Sequence, residues 1–300
     1  MSVNPDSMKD KVRERYGSLA DQVINPSPTE AVQISDGYAP TGDSCCGPST
    51  SCCDPASAVQ GSGVAEMLYQ LDDLANLPDS VTDISLGCGD PIAIAELKPG
   101  ESVLDLGSGG GIDCFIAARA VGPSGQVIGV DMTDSMLELA NTNKAKLGVS
   151  NVDFRKGEIE DLPVDNDSID VIISNCVINL SPDKAAVFRE AFRVLKPGAR
   201  FRVSDMVTQG DFPEQLRQNV NAWSGCITGA IDQADYLQKL RDAGFVDVHV
   251  ESRKSYGLED LDSLDESSRK AITQDVDWTA VPDDVRLFSA RVVATKPDAA

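Results

Sequence analysis

The chain has 300 residues, 41% of them apolar, and a formal net charge of −22, which is enough to bury one large α/β core with additions, or two domains. It holds no apolar run long enough to cross a bilayer, and so negative a charge repels a phosphate backbone, so neither a membrane nor a nucleic acid is expected as partner. The opening, MSVNPDSMKDKVRERYG, lacks the apolar stretch of a signal peptide, so the expected location is cytoplasmic, where clustered thiols more often bind metals or do redox chemistry than form structural bridges. Aspartates and glutamates are spread along the chain, which reads as solubility or salt adaptation, with an acidic field favouring a cationic cofactor as the alternative.

Met8 to Tyr16 has helical spacing. A Pro/Gly/Ser/Asp-rich loop follows from about Asn25 to Gly63 and contains SCCGPSTSCC, which holds four of the eight cysteines: Cys45, Cys46, Cys52 and Cys53. Helical periodicity returns from Val64 to Leu77, and a short helix is expected over Pro91–Glu96. From Ser102 the pattern becomes β-α alternation. Ser102–Leu106 is a strand, GIDCFIAARAV a helix, and Gln126–Asp131 a strand. Thr133 caps a helix that runs to about Leu147 and stops at Gly148. VDFRK and Ile169–Ser174 are strands, DKAAVFREAFRVL is a helix ended by Lys196-Pro197-Gly198, and ARFRVSDM is a strand. NVNAWSGCITGAI reads as an interrupted helix, ADYLQKLRDAG as a helix, and FVDVHVESRKSYG and RLFSARVVATKP as strands that complete the sheet. The order predicts an α/β fold with a doubly wound, mostly parallel sheet. His249, the only histidine, lies in an alternating strand and reads as structural.

DLGSGGGID joins the first strand to its helix, with Gly107 for the sharp turn and Gly109 for close approach of a ligand. Asp131 ends the next strand, twenty-four residues after Gly107, where a carboxylate can accept two ribose hydroxyls. A dinucleotide fingerprint would need a third glycine where Ile112 stands. That departure favours S-adenosylmethionine, which has no pyrophosphate. The candidate cofactor residues are Asp105, Gly107, Ser108, Gly109, Asp131, Met132, Ile159, Glu160 and Asn175, with GEIEDLP placed to bond an adenine edge and cover its face. Together, DLGSGGGIDCF, GVDMT, GEIEDLPV, SNCVINL and REAFRVLKPGARFRVSD resemble a class I S-adenosylmethionine-dependent methyltransferase over about Ser102 to Asp205. The segments read as residues 1–85, carrying the cysteine-rich loop; 86–206, the cofactor-binding core; and 207–300, a thiol-bearing roof and the closing strands.

Three more cysteines lie far apart: Cys88 in SLGCGDP, Cys176 in SNCVINL and Cys226 in AWSGCITGA. Ligands of a doubly wound sheet sit beyond the carboxyl ends of its strands, where Cys176 is expected and toward which the other two can converge. Thiolates select soft centres, and trivalent arsenic takes three of them while keeping a lone pair. The three contexts, with VRERYGSLA and the paired-cysteine loop, resemble the arsenite methyltransferases up to about Tyr256. The resemblance implies that Cys88, Cys176 and Cys226 hold arsenic and take part in the redox steps, joined by Cys46 or, second, Cys45. It also implies arsenite or its thiol adducts as substrate and an external reductant of the thioredoxin or glutathione type. Two other readings compete: a methyltransferase of a quinone-like or lipid acceptor, and a non-catalytic protein that sequesters metalloids. Cys114, on the helix after the glycine loop, reads as a core residue.

Overall fold

The computed structural model describes residues 5–25, 74, 77–82, 89–210, 229–256 and 285–299. Seven strands form one sheet: β1 (Ser102–Leu106), β2 (Gln126–Asp131), β3 (Val152–Lys156), β4 (Ile169–Asn175), β5 (Leu195–Gln209), β6 (Val246–Tyr256) and β7 (Arg286–Thr295), in the order β3-β2-β1-β4-β5-β7-β6. The first five strands run parallel, and β7 pairs antiparallel with both β5 and β6. The helices are α1 (Pro5–Ile24), α2 (Asp79–Thr82), α3 (Ile92–Ala95), α4 (Ile112–Val121), α5 (Asp134–Leu147), α6 (Lys184–Val194) and α7 (Gln233–Asp242), with a 3₁₀ turn over Ile178–Leu180.

Alternate residues of the strands feed two cores. Val103, Val127, Val171 and Ile173 pack against α4 through Phe115, Ala117, Ala118 and Val121. Leu104, Leu106, Ile128 and Ile172 face α6 and α7, where Phe188 meets Phe201 and Tyr236 edge-on at centroid distances of 6.2 and 5.1 Å. Burial on both faces is what near-continuous apolar parallel strands require. The chain order reverses between β1 and β4, which opens the crevice expected at such a switch point.

Three features depart from the sequence reading. Helix α1 runs past Tyr16 to Ile24, because Ala20 is buried beside Met136 and Leu139 of α5. Strand β5 begins at Leu195, before Pro197-Gly198. Its pairing with β4 shifts register between Ile169 and Val171, and the dipeptide is absorbed as an irregularity while Gly198 takes a φ of +75°. Thr133 does precede α5 but makes no side-chain cap bond; its N–H goes to Asp131 instead. Most of the periodic stretch from Val64 to Leu77, and NVNAWSGCIT, lie outside the described residues. Among the described residues no helix is long and apolar enough to cross a membrane.

Candidate active site

The pocket lies over the carboxyl ends of β1, β2 and β4. On the β1–β2 side the glycine loop is stitched down by the N–H groups of Gly107 and Ser108, which both donate to the Val130 carbonyl at 2.8 and 3.0 Å. Gly107 has a φ of +73°, and a Cβ there would collide with Val177, so backbone and space both demand glycine. At Gly109 an added Cβ would meet only Met136 Sδ, at 3.9 Å, so the loop is open toward the pocket. Asp131 ties this side together: its carboxylate accepts Gly109 N–H at 3.0 Å and Thr133 N–H at 2.8 Å. Burial raises the Asp131 pKa, and these backbone N–H bonds work against the rise. Ser108 adds a buried hydroxyl with no hydrogen-bond partner to the pocket wall.

Of the other residues expected to hold the cofactor, Met132, Ile159, Glu160 and Asn175 border the pocket. Asp105 does not: it lies beneath the loop, fully buried, and accepts the Cys114 thiol at 3.3 Å. Its pKa is pushed up to about 7 by burial first, then by the Asp131 charge, against the lowering effect of the Cys114 bond. Cys114 sits in the core as expected, and burial with the Asp105 charge pushes its thiol up. It is remote from nucleophilic chemistry, which needs a depressed thiol pKa.

Sequence reading did not assign helix α1 to the pocket, yet Lys9, Val12 and Tyr16 form part of its wall. Lys9 Nζ reaches Glu158 at 2.5 Å and Glu160 at 3.2 Å, while Arg13 reaches Glu158 at 2.6 Å. The Ser181 hydroxyl donates to Glu160 at 2.6 Å. The signal available in the sequence was the i, i+4 series Met8, Val12, Tyr16, which marks a face that must be covered but not what covers it.

On the β4–β5 side stands Cys176. It is buried, left-handed at φ +60°, and donates its N–H to the Ser204 carbonyl at 2.8 Å. It borders the pocket and packs with Val12, Leu180, Met206 and Ala230. Cys176 is disulfide-bonded. The neighbouring Asn175 spends its amide on Gly89, donating to Gly89 O at 2.7 Å and accepting Gly89 N–H at 3.3 Å. A Cβ on Gly89 would lie 2.7 Å from Ser204 Oγ, so only glycine lets the chain come this close to β5. Cys88, Cys226, Cys45 and Cys46 lie outside the described residues, as do Cys52 and Cys53. Cys88 is nevertheless one peptide bond from Gly89. Cys226 is four residues from Ala230, a reach of about 14 Å of extended chain.

Behind Cys176 is a polar cluster that sequence reading also missed. Asp205 accepts Asn179 Nδ2 at 2.8 Å, its neighbour's Met206 N–H at 3.0 Å and the Tyr236 hydroxyl at 3.3 Å. Burial raises its pKa to about 7 against the pull of Lys184. His249 is exposed on the edge strand, its Nδ1 2.8 Å from Asp247 O.

The family described as "Methyltransferase domain" matches residues 97–244. An arsenite methyltransferase of Halobacterium salinarum is 41% identical over 254 residues, 82% of this chain and 59% of that protein. The human arsenite methyltransferase is 40% identical over 181 residues, 57% of this chain and 48% of that protein. The chain therefore spans about half to three fifths of the length of these relatives. The crystal structure of an arsenic(III) S-adenosylmethionine methyltransferase from Chlamydomonas reinhardtii superposes with a TM-score of 0.63 and 36% identity, covering 75% of this chain and 73% of that one. At 36% identity over 73% of that structure, and with the seven-stranded, mostly parallel sheet described above, the chain belongs to the arsenite methyltransferase family of the Rossmann-like, class I methyltransferase fold.

Proposed function

We propose that this chain transfers methyl groups from S-adenosylmethionine to trivalent arsenic held by cysteine thiolates. The observation that carries the reading is the shared wall: Cys176 is buried against the same pocket that Gly107, Gly109 and Asp131 border. The names of the relatives support it. The pocket also suits the cofactor. Gly109 leaves room for close approach, Ser108 holds an unused buried hydroxyl, and Asp131 places an acid in the wall beside a cationic ligand. Bound there, S-adenosylmethionine supplies a methyl carbon activated by its sulfonium.

The chain's own part is binding and alignment. Asp131, held by the Gly109 and Thr133 N–H groups, borders the pocket and serves the ribose hydroxyls. Cys88, Cys176 and Cys226 displace the ligands of arsenite or its thiol adduct. Since a free thiol has a pKa of about 8.5, metalloid binding drives its deprotonation. Three As–S bonds use three of the five valence electrons of arsenic, and the remaining pair is the nucleophile. Holding it in line accounts for about 7–11 kcal/mol of a bimolecular barrier. Transfer leaves arsenic formally pentavalent. Two thiols then return two electrons by forming a disulfide, with Cys46, or second Cys45, as the N-terminal contributor. An external thiol of the thioredoxin or glutathione type reopens that bond by exchange. The disulfide at Cys176 fits a thiol that cycles in this way.

The test is incubation with arsenite, S-adenosylmethionine and a dithiol, followed by chromatography of arsenic species. Methylated arsenicals and one S-adenosylhomocysteine per methyl group are expected. Intact cofactor binding without methylated arsenic would sink the proposal. Turnover of a quinone-like acceptor that survives Cys176→Ser would favour the carbon or oxygen methyltransferase instead.

A further inference from the structure

Helix α1 is held in two different ways. Its C-terminal half is anchored by apolar contact, with Ala20 packed against Met136 and Leu139 of α5. Its N-terminal half lies along the pocket and is tied across it by charge. Lys9 pairs with Glu158 and Glu160, and Arg13 with Glu158, at sequence separations of 145 residues or more for the Glu158 bonds. The Lys9–Glu160 pair is the sheltered one, at 17% and 13% exposed, whereas Arg13 and Glu158 are each 38% exposed. The loop they grip carries Gly157, Ile159 and Glu160 in the pocket wall. Glu160 in turn takes the Ser181 hydroxyl, and Ser181 borders the pocket from the β4 side. Lys9 therefore joins three separate pieces of wall. Val12, one turn on from Lys9, packs with Cys176 and also borders the pocket.

We infer that α1 is part of the cofactor site, and that Lys9 and Arg13 are positioning residues that hold it against the bound cofactor through Glu158 and Glu160. The inference rests on the reading of this pocket as an S-adenosylmethionine site, but not on arsenic as the acceptor. Burial alone would lower the Lys9 pKa, yet the bond to Glu158 and the field of Glu160 raise it, so the ammonium is retained at neutral pH. The same partnership lowers the Glu158 pKa, chiefly through the Lys9 bond, so the clasp is ionic.

S-adenosylhomocysteine is the suitable probe. Its net charge is zero at neutral pH, so the long-range field of an acidic protein contributes little to the salt dependence of its binding. Titration calorimetry at low and high NaCl is expected to show wild-type affinity weakening with salt. K9Q/R13Q should bind about tenfold more weakly at low salt and be nearly salt-independent. K9R should retain wild-type behaviour, and E158Q should reproduce the loss from the other side of the clasp. Hydrogen exchange of residues 5–24 should slow on ligand binding in wild type and much less in K9Q/R13Q. Wild-type affinity and salt dependence in K9Q/R13Q would overturn the inference while leaving the cofactor reading intact. A wild-type protein that binds no S-adenosylhomocysteine would overturn both. Failure to methylate arsenite would touch neither.

Discussion

The two walls of the pocket are built by different logic. The β1–β2 wall is local: a glycine loop, the acid ending the next strand, and the first turn of the following helix, joined by backbone N–H groups that donate to Val130 and Asp131. The β4–β5 wall is assembled from distant pieces. Asn175 grips Gly89 across 86 residues, and Cys176 hangs from β5 through Ser204. A buried cysteine lies near each wall, and the surroundings separate their roles. Cys114 is locked under Asp105 in an apolar core, whereas Cys176 opens on the pocket and forms a disulfide. Under the proposed function, the local wall orients the cofactor and the wall assembled from distant pieces carries the thiol that exchanges partners.

If the division is sound, damage to one wall spares the function of the other. The largest effect is expected from Cys176→Ser, which should lower the rate of arsenic methylation by about 100-fold or more while S-adenosylhomocysteine affinity stays within about twofold. Equal loss of both would mean that the walls are one unit. Next comes Asp131→Ala. It strands two backbone N–H groups, so calorimetry should show cofactor-product affinity falling about thirtyfold, and denaturant titration a stability loss of about 2–4 kcal/mol. Arsenite uptake, measured by dialysis and elemental analysis on the folded variant, should be nearly unchanged.

Gly89→Ala probes the joint itself. The added methyl meets Ser204 Oγ at 2.7 Å and Cβ at 2.8 Å, pushing away the residue next to Cys88. Arsenite affinity should weaken about tenfold, the scale of disturbing a residue that supports a ligand, with cofactor-product binding intact. Adding Ser204→Gly should restore it, because the space then exists; an unrescued loss would mean that Gly89 serves some other purpose.

A smaller, pH-dependent effect belongs to the local wall. The Asp105 pKa is about 7 in the folded protein, against an ordinary value near 3.8. Between those values the folded state keeps a proton that the unfolded state has lost. The stability this site favours is thus present at acid pH and declines as pH rises toward 7, by at most about 1.4 kcal/mol per pH unit. Asp205 shifts in the same direction, so it contributes a parallel decline. The melting temperature of Asp105→Asn relative to wild type should accordingly climb from pH 5 to pH 8. A flat difference would mean that the Asp105 carboxyl ionises normally. The mildest change should be Cys114→Ala, with methylation activity within about twofold of wild type and a stability loss of about 1 kcal/mol.

How much of this was readable beforehand follows from how far each interaction reaches along the chain. Gly107, Gly109 and Asp131 could be picked out because turn, strand and acid are neighbours in sequence and their roles need only backbone geometry. The doubly wound, mostly parallel sheet could be inferred because strands and helices alternate along the chain. Asp105 was less transparent: its position beside the loop resembles that of a ligand residue, yet its carboxyl turns to Cys114 and not to the pocket. Helix α1 was visible as a helix but not as a wall, because the charges that seat it are about 145 residues away.

The amino-acid order alone therefore determined the doubly wound sheet and the glycine loop, since these depend on local conformation, periodicity and side-chain type. Tertiary structure alone decided that Asn175 serves Gly89, that Val12 shares a cluster with Cys176, and that Lys9 borders the pocket while pairing with Glu158. Those facts are set by which surfaces meet once the sheet has twisted and its two faces are covered. Such meetings depend on the packing of the whole domain, and no short stretch of chain carries that information.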